Sequence, residues 1–404
     1  MKIHEPQIIQ EGGQTVYRAG VDTAKGHETL WYGVDEAFGG FVSRSGDAAL
    51  VALLIPAMAA GEDIQAGGVV SERLLHNLAD PVQRILQLIM PSLRRVAIRA
   101  EQVRPDSAAR APGVATGFSG GIDSYCVLAD YHYANRAGRF KLTHLLFNNV
   151  GSHGSGGERL FRERYQRLAP VAERLGLPFL AIHSNLASFY ARGFGFYHTH
   201  TLRNASVAFL LQAGIGRYLY ASAYTYSDIF SGPFDNIAYS DPFTLPLLST
   251  DTLDTLSVGG EYSRTEKTLR VAGIPDSHGT LDVCAHPEHA RGRTNCSTCG
   301  KCLRTLATLE IAGCLDRYST VFDLDAYRKQ RAAYFAALLG SRDPLLREVV
   351  RFAQERHHPF PFSSRILHAA GLVPALKLAQ RVARKLKRRP RTAPRGNDPA
   401  GDQK

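Results

Sequence analysis

Short apolar runs alternate with amphipathic segments from about residue 111 onward. The runs have the length and composition of buried strands, and the segments between them have the 3.6-residue period of helices. Such alternation is typical of a parallel sheet with helices on both faces, in which ligands bind beyond the carboxyl ends of the strands. The pattern predicts an α/β fold with strands at 114–118, 142–148, 178–182 and 218–222, and helices at 123–137, 158–175 and 201–213.

The chain before this region has a different pattern. Strand-like runs begin at Thr15 and Thr29, and turns rich in Gly and Asp separate them. The longest apolar stretch, Ala48 to Ala60, is too short to span a bilayer and predicts a buried helix. We therefore predict four parts: a small α+β domain at 1–112, an α/β domain at 113–315, helices at 316–375, and a basic tail at 376–404 that is disordered at its end.

A candidate phosphate-binding loop follows the first strand of the α/β region, with the sequence Ser119-Gly120-Gly121-Ile122-Asp123-Ser124. Two adjacent glycines allow a tight turn and the close approach of an anion. Asp123 and Ser124 fall at a predicted helix start, where free N–H groups favour phosphate, and Ser119 and Ser124 add hydroxyl donors. This is not a Walker loop, because no Gly-Lys-Ser/Thr follows at the required spacing. The alternative is an ordinary glycine-rich turn.

A candidate metal site lies farther along, in a Cys-x11-Cys-x2-Cys-x2-Cys pattern formed by Cys284, Cys296, Cys299 and Cys302. The last three cysteines, with tight turns through Gly300, suit tetrahedral thiolate ligation. Six cysteines in a chain with no signal segment argue for a metal site and against a disulfide framework. Four protein ligands would make a closed, structural zinc site. His286 or His289 could instead complete a Cys3His site.

The positive charge is concentrated at one end of the chain. The net charge of the chain is +11. Residues 371–404 contain ten of its 48 Lys and Arg residues and only two of its 37 Asp and Glu residues, so this segment contributes +8. The basic helical segment 377–389 predicts contact with nucleic acid, an acidic partner or a membrane surface, or else a solvated tail that aids solubility. Because Met1-Lys-Ile-His-Glu-Pro contains no apolar signal segment, we expect a cytoplasmic protein.

Further polar residues fall near the ligand-binding edge. Arg203, beside Asn204 near a predicted helix start, could bind phosphate bidentately or could form a surface ion pair. Asp228, Asp235 and Asp241 follow the next strand and are either magnesium ligands or turn residues.

The loop Ser119-Gly-Gly-Ile-Asp-Ser124 resembles the pyrophosphate loop of the N-type ATP pyrophosphatases, and the resemblance covers about residues 112–315. It implies a Rossmann-like sheet of the adenine nucleotide α-hydrolase type. It also implies that ATP, with Mg²⁺, is split into AMP and pyrophosphate. The implied nucleotide-binding residues are Phe118, Ser119, Gly120, Gly121, Ile122, Asp123, Ser124, Arg203 and Asn204.

Within that superfamily, the four-cysteine pattern resembles the zinc site of the 7-cyano-7-deazaguanine synthases. The segment Tyr262–Lys267 resembles their Thr-Lys-x-Glu segment, with Ser263 in place of Thr and Arg264 in place of Lys. The resemblance implies a cation here that neutralises the departing pyrophosphate. Arg264 and Lys267, one helical turn apart, are the candidates; Ser119, Asp123 and Ser124 complete the implied catalytic set. The alternative is a charged helix start with Glu266 in its first turn.

The implied enzyme is an ATP-dependent C–N ligase. It would adenylate an acid similar to 7-carboxy-7-deazaguanine, and ammonia or another amine would then attack. Similar long proteins resemble members of antiviral defence operons, where the acceptor could be a protein, and specialised metabolism is a second setting. Two other functions stay open: tRNA modification of the thiolation or lysidine type, which the basic tail favours, and a non-catalytic ATP-sensing subunit.

Overall fold

The computed structural model describes residues 1–105, 109–134, 138–153, 157–190, 194–290 and 292–371. The predicted basic tail at 376–404, with its segment 377–389, lies outside these residues. Within them the chain has an α/β fold built on one mixed, mostly parallel sheet of eleven strands. The predicted α/β class is thus confirmed. Among the same residues, no helix combines the length and the hydropathy needed to cross a membrane.

The strands of the sheet are short where they are parallel and longest in an antiparallel hairpin near the N-terminus. Their bounds are Lys2–Ile3 (β1), Gln7–Glu11 (β2), Gln14–Thr23 (β3), Gly26–Asp35 (β4), Ile64–Ser71 (β5), Ile98–Arg104 (β6), Gly113–Gly117 (β7), His144–Asn148 (β8), Phe179–Ser184 (β9), Ile215–Ala221 (β10) and Asp254–Val258 (β11).

Helices connect these strands and continue after the last of them. Their bounds are Asp47–Ala60 (α1), Glu72–Ala79 (α2), Pro81–Ile89 (α3), Ile122–Leu128 (α4), Gly157–Leu175 (α5), Leu186–Phe189 (α6), Phe196–Leu210 (α7), Asp241–Leu248 (α8), Arg264–Ala272 (α9), Pro275–Thr280 (α10), Gly300–Ile311 (α11), Leu324–Leu339 (α12), Pro344–Glu355 (α13) and Phe362–Ala369 (α14). The predicted helix at 123–137 is α4 followed by a π-helical turn, Ala129–Tyr133, and its last residues, 135–137, lie outside the described part of the chain. The predicted helix at 201–213 begins earlier, at Phe196.

Five parallel strands form one part of the sheet, in the order β9-β8-β7-β10-β11. The chain moves outward from β7 through β8 to β9, then returns to the other side of β7 for β10 and β11. The strand order therefore reverses between β7 and β10. In open α/β sheets, such a reversal opens a crevice beyond the carboxyl ends of the two strands. The predicted phosphate loop follows β7 directly and so lies at this crevice.

The N-terminal strands extend the same sheet. Strand β4 pairs antiparallel with β9, with Tyr32 opposite Ser184, and β3, β1, β5 and β6 follow outward. A buried polar cluster also joins the two parts, because Asp47 of α1 accepts hydrogen bonds from Ser71 and from Gln212, just after α7. The sheet thus crosses the predicted boundary at residue 112 without interruption. The boundaries predicted at 112, 315 and 375 stay predictions.

The predicted apolar helix is confirmed as α1. Residues Ala48 to Ile55 of this helix are buried, and α1 packs against α7. A helix that is apolar on all sides belongs in a protein core or a membrane, and this one belongs to the core. It ends at Gly61, whose φ of 70° is the left-handed conformation common just after a helix.

The chain divides into two compact units, the first being Met1–Asp323 and the second beginning at Leu324. The first unit contains the whole sheet, the predicted phosphate loop and the four cysteines. In the second unit, α12 packs against α13 and α14. The start of α13 is capped by Asp343, which accepts a hydrogen bond from the Leu345 amide.

Candidate functional site

The loop between β7 and α4 makes a tight turn at Gly120. The φ of Gly120 is 72°, and a Cβ there would lie 2.8 Å from Leu168 Cδ2. Both the backbone conformation and the lack of space therefore require glycine at this position. No side chain caps the start of α4. Its first-turn N–H groups, at the positive end of the helix dipole, are thus oriented to bind an anion.

Two serine hydroxyls lie within this turn. Ser119 is exposed, Ser124 is buried, and their Oγ atoms are 3.5 Å apart. Ser124 donates a hydrogen bond to the Gly121 carbonyl at 3.0 Å, which fixes its hydroxyl inside the loop. The Phe118 ring packs in the core against Tyr125 and Phe179. Phe118 can therefore contact a nucleotide through its backbone, whereas Ser119 offers its side chain.

Two cations converge on the carboxylate of Asp123. Arg264 Nη1 lies 2.8 Å and Lys267 Nζ 3.3 Å from Asp123 Oδ1. The same cations also donate hydrogen bonds beyond the end of β10, Arg264 to the Ala223 carbonyl at 3.0 Å and Lys267 to the Ser222 carbonyl at 2.5 Å. Lys267 is 1% exposed, so its ammonium is held at the crevice by these oxygen atoms and not by water.

These cations determine the charge state of Asp123. Burial alone would raise the pKa of Asp123, but Arg264 and Lys267 beside it hold that pKa below its usual range. The site therefore contains one ionised carboxylate and two cations, a net charge of +1, next to the open N-terminus of α4. That combination favours a multiply charged anion such as pyrophosphate.

Local sequence explains why Arg264 and Lys267 point the same way. Ser263 caps α9 and, with Glu266, forms a capping box, in which Ser263 Oγ accepts from the Glu266 amide and Glu266 Oε2 accepts from the Ser263 amide. The helix starts at Arg264, and residues three apart lie on one face. Glu266 is thus engaged in the cap, while Arg264 and Lys267 face Asp123.

Sequence reasoning missed a second ion pair between the same two helical segments. Asp130, in the π-helical turn after α4, accepts a hydrogen bond from Arg270 of α9, and the Arg270 guanidinium lies 4.3 Å from the centre of the Tyr262 ring. The signal was available, because Asp123 and Asp130 are seven residues apart on one helical face. This pair anchors α9 and thereby helps to position Arg264 and Lys267.

The four predicted metal-binding cysteines come together in the structure. Cys284, Cys296, Cys299 and Cys302 are all buried, and their sulfur atoms lie within 4.8 Å of one another. The Sγ atoms of Cys299 and Cys302 are 3.4 Å apart, and those of Cys296 and Cys302 are 3.9 Å apart. Four thiolates about 2.3 Å from a tetrahedral ion would be about 3.8 Å apart. The cluster can therefore hold a metal ion, as predicted.

The surroundings of the cluster favour four sulfur ligands over the Cys3His alternative. His286 and His289 are exposed and group with Glu288 instead. The backbone amides of His286 and Cys296 each donate a hydrogen bond to Cys284 Sγ at 3.3 Å. Such N–H···S contacts stabilise a thiolate, since they supply the outer-shell hydrogen bonds typical of metal sites.

A short segment before Cys284 connects the cysteine cluster to the phosphate loop. The Asp282 amide donates a hydrogen bond to the Gly120 carbonyl at 2.8 Å. The carboxylate of Asp282 accepts hydrogen bonds from Arg164 at 3.1 Å and from Arg167 at 2.5 Å. The next residue, Val283, donates its amide hydrogen to the side-chain oxygen of Asn295 at 2.9 Å. The cysteine cluster and the turn at Gly120 therefore share one backbone support, which the sequence pattern did not reveal.

Arg203 and Asn204 lie at the neighbouring strand end, beyond β8. Arg203 is 4% exposed. Its guanidinium donates hydrogen bonds to Thr199 Oγ1 at 2.8 Å and to the Val150 carbonyl at 3.1 Å. The same guanidinium lies 3.8 Å from the centre of the Tyr190 ring. Asn204 Oδ1 accepts from Asn148 Nδ2 at 2.9 Å. These contacts place Arg203 within the protein interior rather than in a surface ion pair. Its role in nucleotide binding stays a prediction.

The three candidate magnesium ligands are found in three different environments. Asp228 forms a capping box with Thr225, and Asp235 is exposed on the following loop. Asp241, at the start of α8, is fully buried and accepts from Thr201 Oγ1 at 2.6 Å. Its other oxygen, Oδ2, has no hydrogen-bond partner among the described residues. The three carboxylates are thus not gathered into one cluster within the described chain.

We expect Asp241→Asn to remove part of the pH dependence of the free energy of unfolding. Burial raises the pKa of Asp241 to about 7, although the Thr201 hydrogen bond opposes that rise. Because the folded carboxyl keeps its proton to a higher pH than the unfolded one, this group makes stability fall as pH rises from about 4 to 7. The substitution should therefore change the free energy of unfolding more favourably at pH 8 than at pH 4, by up to roughly 4 kcal/mol. Urea unfolding at the two pH values measures this.

The exposed carboxylate at position 235 provides the control for that experiment. Asp235→Asn makes the same substitution at an exposed loop residue outside the core and serves as the comparison for Asp241→Asn at each pH. An Asp241→Asn effect that is independent of pH would contradict the raised pKa.

The predicted phosphate loop, the two cations and the support of the cysteine cluster thus meet beyond the carboxyl ends of β7 and β10. Comparisons of the chain with family models, with curated proteins and with solved structures find no match. The function of this site must therefore be inferred from its own residues and their geometry.

Proposed function

We propose that this protein is an ATP-dependent ligase that adenylates a carboxylate, releases pyrophosphate and then passes the acyl group to ammonia or another amine. One observation carries the proposal. Arg264 and Lys267 converge within 3.3 Å of Asp123, at the start of the helix that follows the predicted pyrophosphate loop. A buried lysine and a half-buried arginine beside open helix N–H groups are suited to a polyphosphate ligand.

The strand order supports a Rossmann-like classification for the parallel part of the sheet. The order β9-β8-β7-β10-β11 corresponds to 3-2-1-4-5 when the strands are renumbered along the chain, which is the order of doubly wound nucleotide-binding sheets. In such sheets the phosphates lie at the helix after the first strand. Here that helix is α4, the helix that begins at Ile122.

In the proposed reaction, a carboxylate oxygen attacks the α-phosphorus of ATP and forms an acyl–adenylate. The bond between the α-phosphorus and the bridging oxygen breaks, and the electron pair leaves with pyrophosphate. Arg264 and Lys267 would neutralise the negative charge that develops on that group, while the N–H groups around Gly121 and the Ser119 hydroxyl hold its oxygen atoms. The Ser124 hydroxyl would add a further donor once it turns away from the Gly121 carbonyl. The amine then attacks the acyl carbon and AMP departs.

Nucleotide binding would also change the partners of Asp123. Once phosphate oxygens replace its carboxylate beside Arg264 and Lys267, Asp123 becomes available to a cation. Mg²⁺ prefers one or two carboxylates together with substrate phosphates, so Asp123 is the residue we propose to hold it. Bound Mg²⁺ would supply further positive charge at the phosphates.

Zinc is the metal that we propose for the cysteine cluster. Four thiolates in tetrahedral arrangement select Zn²⁺ or an iron–sulfur cluster, and a closed site with four protein ligands is structural. The proposed acid, one similar to 7-carboxy-7-deazaguanine, rests on the resemblance of this cysteine pattern to that of the deazaguanine synthases.

Pyrophosphate release tests the proposal. The full chain is incubated with MgATP and ammonium, with either 7-carboxy-7-deazaguanine or unmodified tRNA as the acceptor. We expect release with the acid. Release with tRNA alone would favour the tRNA-modifying alternative, and ATP binding without release under any condition would favour the sensing subunit; either result would contradict our proposal.

The serine at the entrance of the loop provides a specific variant for this assay. Ser119→Ala should lower the rate of release by at least tenfold, because it removes a hydroxyl donor from the leaving group. Ser188→Ala makes the same change at an exposed serine outside the site and should retain the full rate. Equal rates in the two variants would exclude Ser119 from the site.

A further inference from the structure

A second group of potential metal ligands lies on the antiparallel part of the sheet, apart from the cysteine cluster. It consists of His4, Asp22 and His27, whose ligand atoms lie within 4.8 Å of one another. His4 Nε2 is 2.6 Å from Asp22 Oδ2, and His27 Nδ1 is 2.6 Å from Asp22 Oδ1. The carboxylate is therefore flanked by one imidazole on each of its oxygens.

Strand pairing positions the three side chains on one face. Asp22 on β3 is directly opposite His27 on β4, so their side chains point to the same side of the sheet. His4 follows β1, the neighbour of β3 on its other side, and its amide donates to the Gly20 carbonyl at 2.8 Å. The group is thus assembled from two paired strands and from the residue that directly follows a third.

The glycine at position 20 makes room for both imidazoles. A Cβ at Gly20 would lie 3.0 Å from His27 Cε1 and 3.2 Å from His4 Cδ2. The φ of Gly20 is not positive, so its backbone conformation does not require glycine. Its lack of a side chain instead lets the two rings approach Asp22 from opposite sides. This is a second observation, independent of the ligand distances, that points to a formed site.

We propose that His4, Asp22 and His27 bind a divalent transition-metal ion such as Zn²⁺ or Co²⁺. Two imidazoles and one carboxylate are donors of the type that these ions select. Metal–ligand bonds of about 2.0–2.2 Å bring such atoms to about 3–4 Å from one another, which the partly exposed side chains reach by small rotations. Three protein ligands leave further coordination positions to water or an external ligand, so this is an open site, unlike the four-cysteine cluster.

The charges nearby are compatible with this proposal. The carboxylate of Asp22 is partly exposed and supplies the one negative charge of the group. Lys2 is opposite Asp22 in the pairing of β1 with β3 and is the nearest cation along that pairing. Lys2 is exposed, so its ammonium can turn into solvent when the ion binds.

Cobalt titration of the metal-free full chain tests the proposal, because thiolate and imidazole ligands give different spectra. We expect two equivalents to bind. The first should produce the sulfur-to-cobalt charge-transfer absorption of the cysteine cluster, and the second should add no further absorption of that kind. His27→Gln and Asp22→Asn should each lower the affinity for the second equivalent of cobalt by at least tenfold, without changing the affinity for the first. Gly20→Ala keeps all three ligands. It should nevertheless lower the affinity for the second equivalent, since the added methyl group displaces the imidazole rings of His4 and His27.

The exposed group of His286, Glu288 and His289 provides the matched control. The double variant with His286→Gln and His289→Gln should bind the second equivalent of cobalt as tightly as the unaltered chain does. Binding of a single equivalent to the unaltered chain would overturn the proposal. So would a second equivalent that persists in His27→Gln or that is lost only in the double variant.

Discussion

Lys267→Met is expected to reduce pyrophosphate release by at least about a hundredfold, the usual cost of losing one charge-stabilising donor in an active site. Lys267 Nζ is held by Asp123 Oδ1 and by the Ser222 carbonyl at the reversal of strand order. Methionine has a similar length and suits the buried position. Because Arg264 still pairs with Asp123 at 2.8 Å, the fold should be retained and only the charge facing the leaving group is lost.

A binding measurement makes this prediction independent of the acceptor. Calorimetric titration with pyrophosphate should show affinity at least tenfold weaker in Lys267→Met than in the unaltered chain. Lys141→Met, the same change at an exposed lysine, should leave both affinity and release unchanged. If Lys267→Met binds pyrophosphate normally and releases it at the full rate, Lys267 has no part in the site, and Arg264 alone must supply the charge.

Removal of the proposed zinc ion is expected to impair the predicted phosphate loop as well as the cysteine cluster. Cys299→Ser, or strong chelation, should remove the one zinc ion proposed for the cysteine cluster and lower the melting temperature by about 10 °C, since structural zinc contributes directly to folding free energy. Pyrophosphate affinity should fall in parallel. The reason is the hydrogen bond from the Asp282 amide to the Gly120 carbonyl, on a segment that ends at Cys284.

Hydrogen exchange can separate this local effect from general loss of stability. Peptides that cover 113–124 and 280–284 should exchange faster in Cys299→Ser than in a control of equal global stability. Cys314→Ser provides the matched substitution, because Cys314 is buried but lies outside the cluster. A metal-free protein that binds pyrophosphate with undiminished affinity would show that the cluster does not support the loop.

Several elements could be predicted because their information is local. The apolar stretch from Ala48 to Ala60 has no polar face, and only a buried helix accommodates it. The cysteines at 296, 299 and 302 are close in sequence, so any tight turn brings them together. Element ends were less accurate, as with the predicted helix at 123–137, because the change to a π-helical turn at Ala129 depends on packing and on the Asp130–Arg270 pair.

The candidate site itself was predictable only in part. The glycines and hydroxyls of residues 119–124 indicate anion binding by their chemistry alone. The resemblance to a family singled out Arg264, but nothing in the sequence shows that Arg264 and Lys267 share the Asp123 carboxylate. Asp282 was missed altogether, because a single backbone hydrogen bond to Gly120 leaves no trace in residue type.

The sequence by itself thus determined the alternation of strands and helices, the turn at Gly120 and the set of four cysteines, all of which depend on residue types a few positions apart. Tertiary structure alone decided that the N-terminal strands join the same sheet through β4 and β9, and that α9 presents its cations to α4. It also brought His4, which follows β1, together with Asp22 of β3 and His27 of β4. The physical reason is range: local propensities act within a turn of chain, whereas strand pairing and ion pairing between distant segments depend on how the whole core packs.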